Sequence, residues 1–228
     1  MKPFENIHRR GFIKNAGLLS VTAAFGLRSK AVSQNEEEEV TPAEDLMREH
    51  GLLGRILLIY DTCRLHLMKN EDFDLTILSN SAKIIRSFVE DYHEKLEENF
   101  LFPRFSKAKA LTDLVSVLQS QHTAGRKLTD PILKLEKSLS SDKKSEVIRV
   151  LEAFARMYRP HKTREDTVLF PSIRKIVSPE EYRDLGEQFE DKEHELFGEK
   201  GFESMVVKVE NLEKQLDIYE LSKFTPVN

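Results

Sequence analysis

From Thr41 onward, apolar residues recur at alternating steps of three and four, the spacing of one face of an α-helix. The first stripe is Leu46, His50, Leu53, Leu57 and Tyr60. It begins at Thr41-Pro42-Ala43-Glu44, where a cap residue, a proline at the first position and a glutamate at the third predict a helix start. That helix is expected to run to about Met68, before the turn-like Lys69-Asn70-Glu71-Asp72. A second stripe holds Leu78, Ala82, Ile85, Val89, His93, Leu96 and Phe100, predicting a helix from about Asp74 that Pro103 ends. A third, capped by Thr112, carries Val115, Leu118, His122 and Gly125 inward, and Pro131 should kink or end it. The fourth reads Val147, Leu151, Phe154, Tyr158, His161, Glu165 and Val168, with Pro160 predicting a bend beside His161. Ser178-Pro179-Glu180-Glu181 repeats the capping-box pattern and starts a fifth helix to about Phe197. A short sixth carries Met205, Val206, Val209 and Leu212. The pattern predicts an all-α fold whose last two helices are additional to the first four.

Charge adds an asymmetry. The chain of 228 residues has a net charge of −4, yet residues 1–31 hold six Lys or Arg against one Glu. The remainder is therefore near −9 (−4 minus +5), an acidic body that argues against nucleic-acid binding. Cys63 is the single cysteine, so no intramolecular disulfide and no cysteine-based zinc or iron–sulfur site is available. Arg9 and Arg10, followed by Gly11-Phe12-Ile13-Lys14 and an apolar run from about Ala16 to Leu27, resemble a twin-arginine export signal. Ser29-Lys30-Ala31 offers a small-x-small cleavage site. The apolar run is too short for a stable membrane span. Residues 1–31 are thus expected to be a signal peptide, which places the mature protein in the periplasm or another extracytoplasmic space. Residues 32–41 are read as a charged linker, 42–172 as the helical bundle and 173–228 as a C-terminal helical extension.

One stretch occurs twice. Residues 93–103 read HEKLEENFLFP and residues 161–171 read HKTREDTVLFP. Both place His, then Glu four positions on, then an acidic residue, then Leu-Phe-Pro at matching offsets, and Pro103 and Pro171 are each expected to close their helix. Positions i and i+4 share a helix face, so each copy can aim an imidazole and a carboxylate at one point. A lone histidine stands upstream of each copy, His50 before the first and His122 before the second. The chain reads as a duplicated helical hairpin. Turns near residues 71 and 141 lie almost midway between His50 and His93 and between His122 and His161. Antiparallel neighbours would therefore bring all four histidines to one level. A lone histidine on an apolar stripe is more often a satisfied core residue. Four of them in one layer with Glu97 and Glu165 are different, because buried carboxylates are usually paired or bound to metal. A metal-free His–Glu network remains the structural alternative. His66 matches nothing and is expected at the surface. His194-Glu195 is expected on an exposed helix face, with capping of the open bundle end as the alternative.

The candidate metal ligands are His50, His93, Glu97, His122, His161 and Glu165. One tetrahedral zinc would leave two of them idle, whereas imidazole with carboxylate suits iron. The natural division gives each of two irons two histidines, with Glu97 and Glu165 bridging beside an oxo or hydroxo group. These residues resemble the hemerythrin family, specifically its HHE cation-binding branch. The resemblance implies an up-down-up-down four-helix bundle with a non-haem di-iron centre that binds O₂. It departs from the oxygen carriers at the third helix, where Leu118 and Arg126 stand four residues either side of His122 in place of a second histidine. In the last helix Glu follows His by four rather than Asp by five. The expected function is binding of O₂, or of another small diatomic or peroxide ligand, in oxygen or redox sensing or iron handling. The alternatives are a di-iron oxidoreductase acting on peroxide, nitric oxide or Fe(II), and an iron-dependent interaction module. The protein partner is unknown.

Overall fold

The computed structural model describes residues 40–135 and 139–226, all of them helix or connecting turn. The expected signal peptide and nearly all of the linker lie outside the described residues. Helix α1 is Pro42–Lys69. Its start is the predicted capping box: Thr41 Oγ1 accepts from the Glu44 amide at 3.3 Å, and Glu44 returns a carboxylate to the Thr41 amide at 2.9 Å. It closes at Asn70, which adopts the left-handed conformation that ends many helices. Helix α2 spans 76–108, α3 is Thr112–Leu133 and α4 spans 141–173. The C-terminal helices are α5, Pro179–Phe197, and α6, Gly201–Gln215.

The four longer helices form a ring of contacts, α1 on α2, α2 on α3, α3 on α4 and α4 on α1. The apolar stripes fill its interior, with Leu53, Leu57, Tyr60, Ile85, Phe154 and Tyr158 all buried. Helix α6 packs on α1 and α2, while α5 packs on α1 and α6.

Two expectations at the prolines are corrected. Neither Pro103 nor Pro171 ends its helix: α2 continues through Phe102–Ala108 and α4 through Phe170–Ile173. The reason is a π turn ahead of each, Glu97–Leu101 and Glu165–Leu169, in which the Phe102 amide reaches back to Glu97 and the Phe170 amide to Glu165. Each proline then falls in the first turn of a fresh α segment, where its missing N–H leaves no bond unmade. The extra residue in each π turn also shifts the buried stripe by one. Leu101 and Leu169 take the core positions, and Phe100 and Val168 are only half-buried. Thr112 does not cap α3, since it is already the first helical residue behind Leu111. Ser140 caps α4, which its sequence surroundings did not reveal. Ser178 caps α5 as expected, but Glu181 turns away from the reciprocal bond to pair with Arg104 at 2.9 Å. Pro131 lies inside α3, which ends at Leu133. Pro160 is accommodated inside the α4 segment Ser141–Arg164.

Candidate metal centre

All six predicted groups come together, and each is at most 4% exposed. They form two sets around the two glutamates. Glu165 Oε2 lies 3.0 Å from His161 Nε2 and 3.3 Å from His50 Nε2. Glu97 Oε2 lies 3.3 Å from His122 Nε2, and its Oε1 lies 3.8 Å from His93 Nε2. The sets touch where His93 Nε2 and His50 Nε2 stand 3.1 Å apart. The ligand atoms of Glu97, His122, His161 and Glu165 lie within 4.8 Å of one another, as do those of His50, His93 and Glu97. Glu97 is common to both groups.

The outward nitrogen of every imidazole has a partner that fixes the inward one. His93 Nδ1 donates to Glu49 Oε2 at 2.7 Å and His161 Nδ1 to Gln121 Oε1 at 2.9 Å. His50 Nδ1 donates to Asp166 Oδ1 at 2.6 Å and His122 Nδ1 to Glu98 Oε1 at 3.1 Å. With Nδ1 carrying the hydrogen, Nε2 presents a lone pair to the centre, the arrangement typical of metal-binding histidines. The four partners respect the duplication. Glu49 and Gln121 each precede the lone histidine of their half, and Glu98 and Asp166 each follow its glutamate. Each serves a histidine on a different helix from its own. The sequence showed Glu98 and Asp166 as matching acidic positions without their role, and it gave no reason to single out Glu49 and Gln121.

Facing lone pairs are not a stable end state without a cation. Both oxygens of Glu97, both of Glu165 and His122 Nε2 are buried and accept or donate no hydrogen bond. Four orphaned carboxylate oxygens in one layer are costly alone and suited to a cation. In the metal-free protein protons partly fill that role. Burial opposes charging His50 and His122, but Asp166 and Glu165 lift the first to about 9, and Glu97 and Glu98 lift the second to about 10. For Glu165, burial is outweighed by His161 and His50, which hold its carboxyl well below the carboxylate range. Burial pushes His93 down to about 4.

A polar chain leads away from the site between α2, α3 and α4. Tyr158 donates to Glu94 Oε1 at 2.7 Å, Arg126 binds Glu94 and Glu98 at 2.7 Å each, and Glu98 holds His122. Arg126 is thereby committed, and Leu118 is core, so neither neighbour of His122 adds a ligand. His66 sits half-buried, 2.8 Å from Glu71. His194 is half-buried on α5, and Glu195 is exposed beside Lys192. The residue of that stretch that turns inward is Glu193, fully buried, accepting from the Phe202 amide at 2.7 Å.

Comparison with known proteins agrees with this geometry. The family model described as the hemerythrin HHE cation-binding domain matches residues 41–173. Uncharacterised proteins of Mycobacterium tuberculosis and Mycobacterium bovis are 44% identical over 220 residues, covering 92% of this chain and 86% of the relative. No solved structure matches the chain.

Proposed function

The chain belongs to the hemerythrin HHE cation-binding family, and from that premise we propose that it holds two non-haem irons and binds O₂ or a related small oxidant. The reading places it outside the cytoplasm, in oxygen or redox sensing or in iron handling. One observation carries the metal part: four carboxylate oxygens of Glu97 and Glu165 are buried without a hydrogen bond, facing four imidazole Nε2 atoms. His50, His93, His122 and His161 would hold the ions, with Glu97 and Glu165 bridging. Iron held there would supply a redox-active centre with affinity for small oxidants. The chain's own part is orientation, through the four Nδ1 partners, and exclusion of water by a buried layer.

The up-down-up-down order that goes with this reading is supported by cross-helix pairs whose numbers run in opposite senses. Arg86 meets Asp130 and Glu98 meets His122 between α2 and α3, while His50 meets Asp166 and Asn70 meets Lys144 between α1 and α4. Export rests on the Arg9-Arg10 segment. No helix among the described residues is long and apolar enough to cross a membrane.

A di-iron oxidoreductase is the second reading. It is favoured by the donor count, since six groups shared by two ions leave open coordination, and Leu118 and Arg126 add nothing to it. The deciding experiment is the metal content of protein from an iron-replete host, with its visible absorption under reduction and re-oxidation. About two irons per chain and an absorption band that bleaches on reduction and returns in air are expected. One zinc, or no metal in an intact fold, would overturn the reading. Turnover of peroxide, against reversible O₂ spectra, separates catalyst from binder.

A further inference from the structure

The duplication places Glu49 and Gln121 at equivalent positions, each directly before the lone histidine of its half. They also have equivalent tasks. Glu49 Oε2 accepts from His93 Nδ1 at 2.7 Å, and Gln121 Oε1 accepts from His161 Nδ1 at 2.9 Å. The other two imidazoles donate to Asp166 and Glu98. Three of the four Nδ1 partners are therefore carboxylates, and Gln121 is the one amide.

That difference reaches the centre through His161. A carboxylate on Nδ1 draws the ring hydrogen toward itself and makes Nε2 a stronger donor to metal, which a neutral amide does far less. An ionised carboxylate also only accepts, so it keeps the hydrogen on Nδ1 and the lone pair on Nε2 with or without a cation. An amide offers an acceptor and a donor. Turned over, Gln121 would donate its N–H to Nδ1 and let the ring hydrogen move to Nε2. That atom lies 3.0 Å from Glu165 Oε2, the shortest contact between the four histidines and the two glutamates. His161 can thus satisfy itself without a cation and without a change of charge. Glu49, Glu98 and Asp166 hold no hydrogen to offer in return.

How the imidazoles are shared between two ions does not remove the contrast. The glutamate contacts pair His50 with His161 and His93 with His122. The tightest sets of ligand atoms instead join His122 to His161 and His50 to His93. In both divisions His93 and His161 fall to different ions. The ion that takes His161 has one carboxylate behind its imidazoles, and the other ion has two. In the second division the contrast widens, because the remaining carboxylate is Glu98, which Arg126 and Lys95 also engage.

We infer that Gln121 makes the two positions unequal: the ion on His161 binds last and leaves first, while the ion on His93 is retained. Gln121 is a positioning residue, acting through His161. The inference rests on the two-ion reading, in which both ions share Glu97 and Glu165, but not on the ions being iron. It gives the centre one retained and one exchangeable cation.

Zinc is redox-silent and diamagnetic, so it can be titrated into the iron-free full chain while NMR follows the ring nitrogens. The first equivalent should move Nε2 of His93 and leave that of His161, which responds to the second. Repulsion between the ions would separate the two dissociation constants even at equal positions, but it would not sort the residues. Gln121→Glu, of nearly the same shape, should tighten the weaker ion about tenfold and make His93 and His161 respond together. Glu49→Gln should also bring them together, by weakening the first ion. The gain in Gln121→Glu is one that a packing role for Gln121 would not produce. Parallel response in the unsubstituted chain, His161 responding first, or one zinc moving both would overturn the inference. So would a Gln121→Glu chain that binds no tighter. Sorted zinc in a chain that takes up no iron would sink the di-iron reading and leave the inequality standing, and two irons with unsorted zinc would do the reverse.

Discussion

His50 donates from Nδ1 to Asp166 Oδ1 at 2.6 Å, tying α1 to α4 across 116 residues of chain. The bond turns His50 Nε2 inward, to 3.3 Å from Glu165 Oε2. Asp166 thus acts on the centre without belonging to it, as Glu98 does through His122 in the other half. Asp166→Asn keeps an acceptor and removes the charge that makes the imidazole a stronger donor to metal. Iron affinity should fall about 10- to 100-fold, the usual effect of losing such a partner. Competition against a chelator measures it. In the metal-free chain Asp166 also holds the charge on buried His50, so the thermal midpoint should fall as well. An unchanged affinity would mean that the Nδ1 partners only fill space.

His93→Ala and His161→Ala should each lose metal and destabilise the fold. The second strips Glu165 of its nearest partner, at 3.0 Å, and leaves a fully buried carboxylate with His50 alone. Breaking a buried pair from one side costs about 3–5 kcal/mol. His66→Ala is the control: its partner Glu71 is half exposed, and the change should stay within about 0.5 kcal/mol with full metal content. Metal content and denaturant midpoints of the three variants are the readout, and equal iron in all three would defeat the ligand assignment.

Two glycines in helix interiors should respond with opposite signs. A Cβ on Gly125 would sit 1.9 Å from the Tyr158 hydroxyl and 2.7 Å from its ring carbon. Tyr158 is packed on Phe154 with centroids 4.4 Å apart and held by Glu94, so it cannot step aside cheaply. Gly125→Ala should therefore lose about 1–3 kcal/mol. A Cβ on Gly51 meets nothing within 4 Å, and Gly51→Ala should gain about 0.5–1 kcal/mol from helix propensity alone. Urea denaturation of the two variants checks both signs, and a stabilised Gly125→Ala would show that the close approach is not a constraint.

The four stripes and the six convergent groups were legible because both rest on local periodicity and on a motif that occurs twice. His50, Leu53, Leu57 and Tyr60 are buried where the spacing put them. What the sequence hid has two physical causes. A π turn has no composition of its own, so Pro103 and Pro171 read as terminators and Phe100 and Val168 as core. Long-range partnerships leave no local trace. Nothing near Gln121 announces a bond to His161, and nothing near Glu94 announces that Arg126 and Tyr158 converge on it. The matched acidic positions Glu98 and Asp166 were visible as a repeat, but only the packing of α2 on α3 and of α4 on α1 gave them a task.

Glu90 makes a test by pH that does not involve the ligands. It is fully buried on α2, accepts from Thr129 of α3, and pairs with Arg86 at 2.7 Å. Glu94, Arg126, Tyr60 and Tyr158 are the other titratable groups around it. Burial pushes its carboxyl up to about 7, and the Thr129 bond and Arg86 only partly oppose this. A folded-state value above the unfolded one means that the native protein holds the proton more tightly. Its stabilising share is then complete below about 4.5 and is lost as pH rises through about 7. The loss is on the order of 3 kcal/mol at 1.36 kcal/mol per unit. Glu90→Gln keeps a neutral group there at every pH and removes this slope. Denaturant midpoints of the metal-free chain between pH 5 and 8 should show the variant gaining steadily on the wild type. A constant difference across that range would mean that Glu90 stays ionised in the fold, with Arg86 and Arg126 outweighing its burial.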